Sequence, residues 1–158
     1  SSAASDVYKR QGEHPTKEHN QYLVIRYDFS AMVMANDMEG LAKNFDALNC
    51  SPVEIMVKHN RDLFGDFQFT NWGNAFQMLE EALAYIHLYG LPKAYILIDE
   101  YDNFTNQLLT SYNDPLYEKV TTSDSFLRTF FKVIKKGIGE GTVRTCFCTV
   151  YCLSPWTI

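Results

Sequence analysis

Apolar and polar positions follow two periods along this chain. Short, nearly continuous apolar runs occur at residues 22–29 (YLVIRYDF), 94–98 (AYILI) and 142–151 (TVRTCFCTVY). Runs of this length, rich in β-branched and aromatic residues, predict strands buried on both faces. Such strands belong to parallel sheets flanked by helices. Between them the period is helical. Met38, Leu41, Phe45 and Leu48 recur at helical spacing, with Asn36 or Asp37 placed to cap the helix. Ser51-Pro52 is expected to restart that helix for residues 53–58, since proline is comfortable in a first turn. A second helix presents Phe76, Leu79, Leu83 and Ile86 on one face and stops at Gly90. A third, capped by Ser123 or Asp124, carries the stripe Phe126, Phe130, Ile134 and Ile138 and ends at Gly139 and Gly141. Residues 60–74 form a turn-rich connection, residues 103–112 a short helix or extended loop, and Asp114-Pro115 a turn.

With helices crossing between them, the strands should run parallel through right-handed connections. The fold class expected is therefore α/β, a three-layer sandwich with a mainly parallel sheet. Residues near 94–99 should form its middle strand, between those near 22–29 and 143–149. In such sheets ligands bind beyond the carboxyl ends of the strands. Asp28, the adjacent pair Asp99 and Glu100, and Thr149 all fall at or near those ends. Asp99, at the tip of an apolar strand, is suited to hold magnesium through water, because magnesium keeps several of its waters. Glu100 can reach a water lined up on a γ-phosphate and act as general base or water-positioner. Asp102 can tune Glu100 or cap the helix that follows. The plainer alternative is a strand that simply ends in solvent.

Composition narrows the class. The chain has 158 residues, enough for one domain, and is 46% hydrophobic and 15% aromatic, hence globular rather than disordered. Its net charge is −5, and it lacks the Lys/Arg cluster that gives nucleic-acid binding an electrostatic footprint. No apolar run approaches the roughly 18 residues needed to cross a bilayer. The four cysteines, Cys50, Cys146, Cys148 and Cys152, read as reduced thiols of a cytoplasmic protein. Cys146 and Cys148 are expected on opposite faces of their strand and therefore unpaired. The alternative, a zinc site, needs a chelating loop that a strand interior does not present. His14, His19 and His87 read as solvated or structural residues.

A nucleoside triphosphatase also needs a phosphate loop, G-x-x-x-x-G-K-[ST], and the sequence contains none. The start offers an explanation. Residues 1–11, SSAASDVYKRQ, back-translate with one codon choice per residue to a transposase adapter used in preparing DNA for sequencing. They are expected to be foreign to the fold. The remainder, residues 12–158, is then expected to be part of a domain in a longer reading frame, its phosphate loop lying upstream.

Three stretches in order, YLVIRYDFS, ILIDEYDNFTNQLL and FCTVYCLSPWT, resemble the bacterial AAA-ATPase-like family, often fused to a nuclease domain of the PD-(D/E)XK type. The resemblance covers residues 12–158. It implies a P-loop NTPase fold that binds ATP and Mg2+. It makes Asp99 the Walker B aspartate, holding metal and nucleotide, Glu100 the catalytic glutamate, and Thr149 the polar sensor. The chain departs from the family after Thr149, where a glycine is missing and VYCL replaces a shorter Gly-Val before Ser154-Pro155. Two other functions compete. One is a non-catalytic interaction or regulatory module that retains the fold. The other is a nuclease-like metal site of Asp99, Glu100 and Asp102, disfavoured because these residues crowd one strand end and no lysine follows at the usual spacing.

Overall fold

A computed structural model describes residues 21–111 and 125–149. The elements are β1 (Leu23–Asp28), a 3-10 turn (Phe29–Ala31), α1 (Met38–His59), α2 (Arg61–Phe64), α3 (Ala75–Tyr89), β2 (Ala94–Asp99), α4 (Tyr101–Ser111), α5 (Phe126–Gly139) and β3 (Val143–Cys148). The adapter-like start, the Asp114-Pro115 turn, Cys152 and the closing SPWTI lie outside the described residues. The sheet order is β1-β2-β3, and both pairings are parallel. The fold class is α/β, with a parallel sheet flanked by helices and the 94–99 strand in the middle.

Local chemistry explains most element ends. The Asp37 carboxylate accepts the Gly40 amide at 2.7 Å and starts α1. Asn74 does the same for α3 through the Gln77 amide. Gly90 takes the left-handed conformation (φ 60°), and the Leu91 amide closes onto the Ile86 carbonyl at 3.0 Å, terminating α3. Two expectations are corrected. Proline does not restart a helix at Ser51: α1 is continuous over 22 residues with Pro52 inside it. The missing N–H and ring clash that Pro52 introduces are outweighed by one buried stripe, Leu41, Phe45, Val53, Met56 and Val57, that runs past it on both sides. The cap of α5 is Ser125, whose Oγ accepts the Arg128 amide at 3.2 Å, not Ser123 or Asp124. The buried face of α5 is Leu127, Phe130, Val133, Ile134 and Gly137, whereas Ile138 is exposed.

The strands were expected to be buried on both faces; they are not among the described residues. In β1, Leu23, Ile25 and Tyr27 are buried while Val24, Arg26 and Asp28 are exposed. The register sets these exposed residues beside Tyr95, Leu97 and Asp99 of β2, which are half-buried. Phe147 of β3 lies on the same side, opposite Leu97, and is 53% exposed. The described helices thus cover one face of the sheet and leave the other open. Cys146 and Cys148 are two apart on a strand and so share a face, with their thiols within hydrogen-bond reach of each other. The opposite-face expectation misread the strand period. Burial pushes the Cys146 thiol up to about 12, so it is inert as a nucleophile at neutral pH.

The core under the strand tips is aromatic. Phe29 meets Phe45 and Phe104 edge-on, at 5.8 and 5.6 Å between ring centroids. Phe130 does the same with Tyr27 at 5.1 Å and Phe45 at 5.3 Å. Edge-to-face packing of this kind fixes ring positions as well as burying area. At the other flank, a single carboxylate gathers four donors from Thr70 and Asn71. Glu81 accepts the amides of Thr70 (2.8 Å) and Asn71 (3.1 Å), the Thr70 hydroxyl and the Asn71 side-chain amide.

Two predictions follow from packing and charge. Helix α5 approaches β3 and α3 so closely at Gly137 that an added Cβ would lie 2.7 Å from Val143 Cγ2 and 3.1 Å from Leu83 Cδ1, whereas Gly139 has open space. In thermal unfolding Gly137→Ala should cost about 1–3 kcal/mol by overpacking, and Gly139→Ala should be neutral or stabilising by up to about 1 kcal/mol. At Glu81, desolvation pushes the carboxyl up, but the hydrogen bonds from Thr70 and Asn71 together outweigh it and hold it below its ordinary value. The resulting stability is fully present above the unfolded glutamate value of about 4.3 and fades as pH falls through the lower folded value. Glu81→Gln should cost about 1–2 kcal/mol at pH 7. Urea unfolding should find that difference shrinking below pH 4.

Candidate functional site

The parallel register brings the predicted residues together at one edge. Asp28 and Asp99 are direct partners at the ends of β1 and β2. Thr149 follows β3, and its amide donates to the Ile98 carbonyl at 2.8 Å, which carries the pairing one residue past the strand. Its hydroxyl donates to Asp99 Oδ1. The β1 and β2 tips are each fixed by a buried aromatic residue beyond them, Phe29 after Asp28 and Phe104 in the first turn after Glu100. The acidic residues therefore sit on a rigid edge even though their side chains reach solvent.

Asp99 is the best-held side chain of the group. Its Oδ1 accepts the Thr149 hydroxyl and the Glu100 amide (3.1 Å), and its Oδ2 accepts Arg26 Nη2 at 3.2 Å. The Thr149 hydrogen bond, foremost, holds its carboxyl below the ordinary range, with Arg26 and the Glu100 amide adding to it. Asp28 is also held down, by hydrogen bonds from Ser30, whose amide it accepts at 2.9 Å. Both are thus carboxylates at neutral pH.

Glu100 differs in backbone and in charge. It has φ +58°, the left-handed region, and is the non-glycine residue with positive φ among those described. For an L-residue with a Cβ this costs on the order of 1–2 kcal/mol. The turn it makes redirects the chain from β2 into α4, where its carbonyl accepts the Phe104 amide at 3.3 Å. Desolvation, and then the charges of Asp102, Asp99 and Asp28, raise its carboxyl. Adjacent carboxylates are thus pushed apart, Asp99 toward the anion and Glu100 toward a stronger base, the pattern that separates roles in acid–base sites. Among the described residues, one oxygen of Asp102 is buried without a hydrogen-bond partner.

The donor set is one of hard oxygens, Asp99 and Asp28 carboxylates and the Thr149 hydroxyl, which suits magnesium and not a soft metal. Among the described residues no group of three or more His, Cys, Asp or Glu side chains could hold a metal ion. A cation here needs waters or phosphate oxygens to complete its shell, as magnesium in phosphoryl-transfer sites does. The structure thus joins Asp99, Glu100 and Thr149 in one cluster. Sequence reading missed Arg26. Its signal was an arginine inside an otherwise apolar run, LVIRYDF, two residues before Asp28 and so on the same face.

No helix of the described residues is long and apolar enough to cross a membrane. No curated protein and no solved structure matches this chain. The predicted AAA-ATPase family (AAA-ATPase-like) matches it over residues 4–152, a span that holds all three strands and the whole acidic edge. The chain belongs to the AAA-ATPase-like family.

Proposed function

We propose that this chain contributes the metal-holding and water-activating half of an ATP-hydrolysing site. The observation that carries the reading is the contact of Thr149 and Asp99 across neighbouring strand tips, with Glu100 next in the chain on a strained turn. ATP with its magnesium, when bound, supplies the phosphoryl group to be transferred. Asp99 would hold the ion through water, its carboxylate oriented by Thr149. Glu100 would accept the proton of the attacking water at its carboxylate, and its raised affinity for a proton suits that task.

Phosphate binding itself is assigned elsewhere. Most affinity for a triphosphate comes from a loop's backbone N–H groups, its lysine and the helix N-terminus behind it, and no such motif occurs in the sequence. Residues 1–11 are read as foreign, residues 12–158 as part of a cytoplasmic ATPase domain, and the phosphate loop and a nuclease-like domain as features of the parent protein. The missing motif also supports the second reading, a non-catalytic interaction or regulatory module on the same fold. By itself the chain should bind ATP weakly or not at all.

The test belongs in the intact parent, with nucleotide binding and steady-state phosphate release measured side by side. Glu100→Gln should keep ATP binding and slow release by roughly 100-fold or more, the usual worth of a positioned base. Asp99→Asn should also weaken magnesium-dependent binding. A wild-type rate for Glu100→Gln would give the non-catalytic reading the lead.

A further inference from the structure

The two oxygens of Asp99 are used differently. Oδ1 takes both neutral donors, the Thr149 hydroxyl and the Glu100 amide, while the partner at Oδ2 is Arg26. Oδ2 is thus the oxygen left for a cation, and a cation already sits on it. Arg26 reaches it from the open face of β1, where it lies opposite Leu97, one pleat below the Asp28–Asp99 pair. That pair explains why a positive charge is needed. Two carboxylates directly opposite on neighbouring strands repel, and Glu100 and Asp102 add to the negative field. The ion pair is also easily broken, since its side chains are 68% and 31% exposed, and exposed pairs of this kind contribute little to stability. A divalent ion with twice the charge competes well for the same oxygen.

We propose that Arg26 is an exchangeable counter-ion of Asp99: it holds the carboxylate in place while no metal is present and yields Oδ2 when a divalent cation arrives. This rests on the reading of Asp99 as the metal-holding residue and adds a regulatory element to it. Arg26 sets the cation concentration at which the site fills. Once released, its guanidinium lies free at the same edge, with a planar, bidentate fork suited to phosphate oxygens. Arg26 is on this account a positioning residue.

The exchange can be read without any turnover. In the 158-residue chain, Mg2+ is titrated while NMR follows the Arg26 side-chain Nε–H, assigned by its loss in Arg26→Lys, and the Asp99 carboxylate carbon. Both signals should move with one midpoint, and the Nε–H should end at the position of a solvent-exposed arginine. In Asp99→Asn the Nε–H should start there and not respond. Arg26→Met should fold normally by circular dichroism and shift the midpoint at Asp99 to about fivefold lower Mg2+, a coupling typical of linked sites. A response at Asp99 with none at Arg26, or an unchanged midpoint in Arg26→Met, overturns the exchange and leaves the metal reading standing. No response at Asp99 also overturns the exchange, while the metal reading is decided separately by Asp99→Asn in the intact parent.

Discussion

Two strands pair in parallel with one central strand, and nearly everything of interest at this edge follows from that pairing. Because β1 and β2 start in register, Leu23 with Ala94, they end in register, Asp28 with Asp99. Because β3 joins the other side of β2, Thr149 arrives at the same height and its hydroxyl meets Asp99. Residues 50 and 71 positions apart in the chain become neighbours without any loop having to place them. A slip of one residue in either pairing would turn Asp99 and its partners to opposite faces. The apolar pattern forbids that slip, since Ile25, Tyr27, Ile96 and Ile98 would leave the core.

Much of this was legible in the sequence. Each strand announced itself by an apolar run, and the helices between them dictated parallel pairing. That Asp99, Glu100 and Thr149 share one edge was legible because each ends or directly follows a strand, so position along the chain already fixed position in space. Other features were hidden for physical reasons. Pro52 has a strong local preference, and the burial of α1 on either side overrode it. The α5 cap is Ser125 and not the expected Ser123 or Asp124, because the choice depends on where the α5 stripe meets the core. Arg26 could not be assigned a partner from sequence, because its contact with Asp99 depends on register between strands far apart in the chain.

The open face of the sheet was the least legible feature. A run such as LVIRYDF fits a strand buried on both sides as well as one buried on one side, because Val24 is apolar in either case. The structure resolves the matter through partners rather than through composition. Among the described residues Leu23, Ile25 and Tyr27 are buried, while Val24 and Phe147 are each 53% exposed. Tyr95 stacks on Phe147 at 5.7 Å and also meets Tyr22, so this face is organised by aromatic contacts within the sheet itself. Arg26 reaches Asp99 across this open side, which keeps its ion pair in contact with solvent.

The left-handed turn at Glu100 has a consequence for how sequences of this kind can drift. Glycine or asparagine would relax the backbone there, so mutation guided by stability alone favours losing the carboxylate. A chain that keeps glutamate at this corner holds it against a conformational gradient, and one that drifts to glycine becomes sturdier as it gives up the carboxylate. The residue that follows the strand aspartate is therefore a marker, readable from sequence, of whether a descendant of this fold still carries the group that would activate water.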